Sequence, residues 1–166
     1  MGGKYPTCEQ LNKYRFSELV HQNTDLVVLA SIWNEDRIPP LKDTVAYLHA
    51  QGKKVLIVGP RVHFRGSVPL LLSLQKSLDG LNSRLAGSVI REPVLLDQMR
   101  KAIPDAEIID IASIQCTPGC DVIDGDRLLY LDERHFTVFG AKRIGERFKQ
   151  RFDLPTFIRG RSSRDN

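Results

Sequence analysis

An α/β fold, a mainly parallel sheet sandwiched between two helical layers, is predicted by three short apolar runs separated by helix-forming stretches. The runs are DLVVLAS (25–31), KKVLIVG (53–59) and AEIIDIA (106–112). Each is apolar almost throughout rather than alternating, as strands covered on both faces are. The segments between them carry the three-to-four-residue apolar spacing of surface helices. At 166 residues and 42% hydrophobic, the chain is long and apolar enough for one domain with its own core.

In chain order, residues 9–23 place Leu11, Tyr14 and Leu19 on one stripe of a surface helix, and the first buried strand follows at 25–31. WNEDRIPP (33–40) reads as a loop. LKDTVAYLHAQG (41–52) is a helix with Leu41, Val45 and Leu48 on one face and Gly52 as its C-terminal stop. The second strand ends at Gly59-Pro60, completing a strand–helix–strand crossover. Residues 68–103 read as mostly helical: SVPLLLSLQKSLDGLNSRL is broken by Gly80, and REPVLLDQMRKAI is a separate helix with Pro93 near its start. After the third strand, LLYLD (128–132) is a short extended segment. FTVFGAKRIGERFKQRF closes the fold as a helix with Thr137 at its N-cap. The domain is expected over residues 1–152, followed by a basic flexible tail over 153–166.

Composition excludes several classes. No apolar run is long enough to span a membrane, and MGGKYPTCEQLNKYRF has no hydrophobic core of the signal-peptide kind. The formal net charge of +4 draws on Lys142, Arg143, Arg147, Lys149, Arg151, Arg159, Arg161 and Arg164. Without a recognisable module or stacking aromatics, this is a solvated helix face and a loose tail, not a nucleic-acid site. Neither a phosphate-binding loop nor a dinucleotide fingerprint is present, since GPRVHFRG lacks the glycine spacing.

Cys116 and Cys120 flank a Thr-Pro-Gly turn and can approach each other. Two free thiols and an oxidised pair in an exported domain both fit, the latter preferred, and two thiols fall short of the four ligands of a structural zinc site. Cys8 is then unpaired or matched outside the chain.

The chemistry concentrates in LYLDERHFTVFGA (129–141). Asp132 and His135 are three positions apart in a turn from extended chain into helix. At that spacing the carboxylate accepts the Nδ1 proton and fixes the tautomer, leaving Nε2 to take a proton from a nucleophile. The bland reading is an incidental hydrogen-bonded pair.

LLYLDERHFTVFGAKRIGERF resembles the last block of the SGNH/GDSL hydrolases, Asp-x-x-His followed by a helix. It is more similar still to the extracytoplasmic SGNH domain joined to membrane-bound acyltransferase-3 proteins, the O-acetyltransferases of surface polysaccharides. DLVVLASIW, GKKVLIVGPRVHF and the spacing CTPGC…GDRLLYLDERHF agree with that subgroup, and the resemblance covers roughly residues 8–150. It implies a three-layer sandwich of flavodoxin-like topology. It implies, too, an active-site serine, served by Asp132 and His135, that attacks an acyl carbonyl and passes the acyl group to a sugar hydroxyl or to water. In the family that serine lies in a Gly-Asp-Ser block after the first strand. This sequence has no Gly-Asp-Ser; its one Gly-Asp is Gly125-Asp126, upstream of the Asp-x-x-His block. DLVVLAS matches the family's third strand, so the first strand is expected to be missing, leaving an open sheet edge with apolar surface.

Other candidates sit in loops at strand carboxyl ends, where such sheets place function. Asn34 is a candidate oxyanion donor or a loop-stabilising residue, and Trp33 a substrate contact or a cover for the sheet edge. Ser31 is a candidate replacement nucleophile, although the family carries its serine on another strand. His63 is a candidate substrate contact or an ordinary loop residue. The resemblance implies no metal and no cofactor in this domain. An acyl donor such as acetyl-CoA would be used by the membrane part of a longer parent, whose partners are that acyltransferase membrane domain and a glycan or acylated small substrate. The parent's domain would face the periplasm, and this chain, expressed without a signal, the cytoplasm. The runner-up readings are a carbohydrate acetyl esterase and an inactive glycan-binding remnant.

Overall fold

The computed structural model describes residues 7–21, 24–77, 79–117 and 119–159. Its elements in chain order are α1 (Cys8–His21), β1 (Leu26–Ala30), α2 (Ile38–Ala50), β2 (Lys54–Val58), β3 (His63–Phe64), α3 (Val68–Ser73), α4 (Leu81–Leu85), β4 (Val89–Ile90), α5 (Pro93–Ala102), β5 (Glu107–Ile109), α6 (Ile111–Gln115), β6 (Ile123–Asp124), β7 (Arg127–Leu128), α7 (Val138–Arg151) and α8 (Leu154–Arg159).

β1, β2 and β5 form a parallel sheet in the order β1-β2-β5. Both faces of β2 are covered, as its unbroken apolar run requires, whereas Val28 of β1 stays exposed. Val27, Val55, Ile57 and Ile108 face α2 and α5, against Leu41, Val45, Leu48 and Met99. Leu56 and Ile109, one residue out of phase, pack on the other face against Ile114 of α6 and Ile144 of α7. A third apolar cluster, with Phe64, Val68, Leu129 and Tyr130, holds the loops beyond the strand ends.

Several boundaries differ from expectation. The loop expected over 33–40 gives way to helix at Ile38, because Pro39 and Pro40 fall in the first turn of α2, where a missing N–H costs nothing. Gly52, at φ 71, ends that helix. The third strand is only three residues long: Asp110 caps α6 by accepting from Ser113 N at 2.9 Å and Ser113 Oγ at 2.6 Å. The expected tail is corrected over its first part. Asp153 accepts from Thr156 N at 3.0 Å and starts α8, and Phe152, Leu154 and Phe157 pack onto the α7 side of the core. The remainder, 160–166, lies outside the described residues. Gly125, at φ 63, and Asp126 form the turn between β6 and β7, so the one Gly-Asp of the sequence serves a hairpin.

Candidate active site

Residues 131–135 form a tight loop. A β-bridge between Tyr130 and Phe136 closes it, and Leu131 N donates to His135 O at 2.7 Å. Thr137 then caps α7: its Oγ1 accepts from Gly140 N at 2.9 Å and donates to Leu128 O at 2.7 Å. The loop is fixed from its other side by β3 and α3, where Phe64 N donates to Glu133 O at 3.0 Å and Val68 N to Asp132 O at 3.4 Å.

Within this loop Asp132 Oδ2 meets His135 Nδ1 at 2.7 Å, while Oδ1 accepts from the backbone N–H groups of Arg134 and His135, each at 2.7 Å. The carboxylate is therefore oriented before it touches the ring. The His135 N–H, then the His135 ring, then the Arg134 N–H hold its pKa down to about 2. An ionised Asp132 accepts the proton on Nδ1, so Nε2 is the basic nitrogen, and the ring is 65% exposed. Beneath the loop, burial pushes the Tyr130 phenol up to about 12, against the lowering influence of the Gln115 amide.

Ser31, Trp33 and His63 converge at the carboxyl ends of β1 and β2, around a cavity of about 130 Å³ also lined by Arg61, Glu92 and Arg134. Arg134, inside the Asp-x-x-His loop, joins this cavity to the dyad. Ser31 is not joined to the dyad by a hydrogen bond: its hydroxyl accepts from Arg37 Nη1 at 2.6 Å, and among the described residues no hydrogen bond links it to His135. Trp33 is pinned by Nε1 donating to Val58 O at 2.6 Å. Asn34 accepts from Arg37 N at 3.2 Å as the cap of a short 3-10 turn, its loop-stabilising role, and lines a neighbouring cavity. Cys116 and Cys120 are joined as a disulfide; Cys8 begins α1, and its side chain lies outside what is described.

Arg61, Glu92 and Arg134 were missed by sequence reasoning. Arg61 directly follows Gly59-Pro60 in a strand-end loop, a signal that was available. Glu92 reaches the site only because the antiparallel pairing of β3 with β4 folds its segment back. A larger cavity, about 640 Å³, lies at the opposite, amino ends of β2 and β5 beside Lys54, Glu107 and Phe157. It holds none of the dyad chemistry. Among the described residues no group of three His, Cys, Asp or Glu side chains is placed to hold a metal ion, and no helix is long and apolar enough to cross a membrane.

The family model for an SGNH domain fused to AT3 domains matches residues 2–150. Among solved structures, the periplasmic domain of a Salmonella ser. Paratyphi A lipopolysaccharide acetyltransferase is similar in fold, with a TM-score of 0.67 at 18% identity. The alignment covers 84% of this chain and 61% of that one. No curated protein matches the chain in sequence.

Proposed function

The chain belongs to the family of SGNH domains fused to AT3 domains, and from that premise we propose that it serves O-acetyl transfer to a cell-envelope or surface polysaccharide. The observation that carries this reading is the 2.7 Å contact between Asp132 Oδ2 and His135 Nδ1, with the carboxylate locked by two backbone N–H groups. His135 Nε2 takes the proton of a serine hydroxyl as that oxygen attacks the acyl carbonyl, and gives it to the departing donor. A sugar hydroxyl then attacks the acyl-enzyme, its proton passing through Nε2 back to the serine oxygen. Backbone amides stabilise the oxyanion in both steps. The AT3 membrane domain would deliver the acyl group, drawn from a donor such as acetyl-CoA, to the periplasmic side.

This sequence carries no Gly-Asp-Ser, and Ser31 is engaged by Arg37. The 166 residues alone are therefore impaired in the chemical step. The exposure of His135 favours one second reading, hydrolysis, because an open imidazole admits water as the acceptor.

The test is the O-acetyl content of envelope polysaccharide, read by proton NMR, in cells carrying the gene that encodes this domain. His135→Ala is expected to lower O-acetylation by about 10²–10⁴-fold. Unchanged O-acetylation would overturn the proposal, and free acetate rising at the expense of acetylated glycan would favour the esterase.

A further inference from the structure

Trp33 and Glu92 form a shared wall between two cavities. The smaller, about 130 Å³, holds Arg61, His63 and Arg134 and reaches the Asp132–His135 loop. The larger, about 350 Å³, extends the other way past Glu35, Arg91 and Val94. The indole is not free to swing, since its N–H is committed to Val58 O and its ring packs against the core beneath α2 and α5.

The polar groups around it are mixed in sign: Arg91 donates to Cys120 Sγ at 3.2 Å and Arg134 stands 3.9 Å from Glu133, while others are uncommitted. Among the described residues, the side chains of Arg61, His63 and Glu92 make no hydrogen bond or ion pair, although Arg61 and Glu92 line the same small cavity. In the larger one, Glu35 is steadied by Gln98 Nε2 at 3.1 Å. Donors beside acceptors match hydroxyl groups, which both give and take hydrogen bonds. A flat apolar ring among a few placed polar groups suits the C–H face of a pyranose. Arg61, Arg91 and Arg134 alternate with Glu35 and Glu92 along the two cavities, so a ligand of one charge sign throughout would meet like charge somewhere, and an apolar ligand would leave all five charges unmet.

Resting on the acyl-transfer reading for the class of ligand, we infer that the two cavities form one acceptor groove for two adjacent neutral pyranose residues of a glycan. The residue to be acylated lies over the smaller cavity, and its neighbour lies past Trp33 over the larger. The acceptor is then a chain, not a free monosaccharide.

Trp33 is the chain's one tryptophan, so its emission reports on both halves of the groove. The 166-residue protein is titrated with methyl α-glucoside, methyl α-galactoside and methyl α-mannoside, and with maltose, galactobiose and mannobiose. At least one disaccharide is expected to shift the emission saturably and to bind about tenfold tighter than its monosaccharide. Val94→Glu is expected to erase that advantage while leaving the monosaccharide unaffected, and Arg61→Ala to weaken both. Unchanged melting temperatures in the two variants separate these effects from misfolding. The inference is overturned by no saturable change with any disaccharide up to about 100 mM, by equal affinity for one ring and two, or by methyl glucuronide binding tighter than methyl glucoside. Each of these leaves the His135→Ala O-acetylation result standing, so failure of the groove is distinguishable from failure of the acyl-transfer reading.

Discussion

Asp132 divides its two oxygens between backbone and ring, and this division has a consequence in acid. With the carboxyl held from its ordinary 3.8 down to about 2, the unfolded chain binds the proton more readily than the folded one between those values. The stability contributed by the ionised group is therefore fully present above 3.8 and lost as pH falls towards 2. Asp132→Asn removes this dependence. The stability difference between the two proteins, read from urea midpoints, is expected to stay constant above the ordinary carboxylate range and to shrink below it. Parallel curves through the acid limb would show that the N–H groups of Arg134 and His135 do not hold the carboxylate in solution. The pair was legible in the sequence because its partners are three positions apart and its geometry is local. The cavity beside it was not, because Arg61, Glu92 and Trp33 meet only after β3 pairs with β4 and β2 is laid beside β1.

At the scale of elements, α7 is what presses the Asp-x-x-His loop into place, and Gly140 sets how closely it does so. A Cβ at Gly140 would stand 2.0 Å from Leu129 O and under 3 Å from two further backbone atoms of that residue. Backbone cannot rotate out of the way as a side chain can, so Gly140→Ala has to displace either the helix or Leu129, three residues before Asp132. It is expected to cost about 3 kcal/mol. Gly145, on the same helix, has nothing within 4 Å of a Cβ, and Gly145→Ala is expected to stabilise by up to about 1 kcal/mol through helix propensity alone. Thermal melts of the two variants check both; similar losses in each would mean that Leu129 yields to α7. The three strands, α2 and the Thr137 cap were readable from apolar runs, periodicity and capping chemistry. The two-residue strands β3, β4, β6 and β7 are too short for any period to register. α8 was hidden because Leu154 and Phe157 stand in a stretch that charge marks as tail, and the cluster they pack against, with Leu56, Ile109, Ile114 and Ile144, is assembled from distant parts of the chain.

At the scale of the whole molecule, β1 is an outer strand of the sheet among the described residues. Among the described residues β1 pairs with β2 alone, and Val28, in register with Leu56 and on the same face, stands outside the cluster that Leu56 and Ile109 form with Ile144 of α7. Val28 is 52% exposed, and Ile32, just beyond the strand, is 58% exposed. An uncovered strand edge with apolar side chains is a template for association between copies. The net charge of +4 opposes that association, and its range is shortened by salt. The purified chain is therefore expected to associate increasingly with concentration, and more so at about 0.5 M salt than at low ionic strength. Val28→Lys should suppress this while changing stability by no more than about 0.5 kcal/mol, because the side chain it replaces is already half in water. Sedimentation velocity across a concentration series decides the matter. A wild-type chain that stays monomeric at high salt would mean that the β1 edge is protected in solution. Association that persists in Val28→Lys would move the contact elsewhere on the surface. Association lost in the variant with the melting temperature intact would locate it at the edge where the family's first strand is expected.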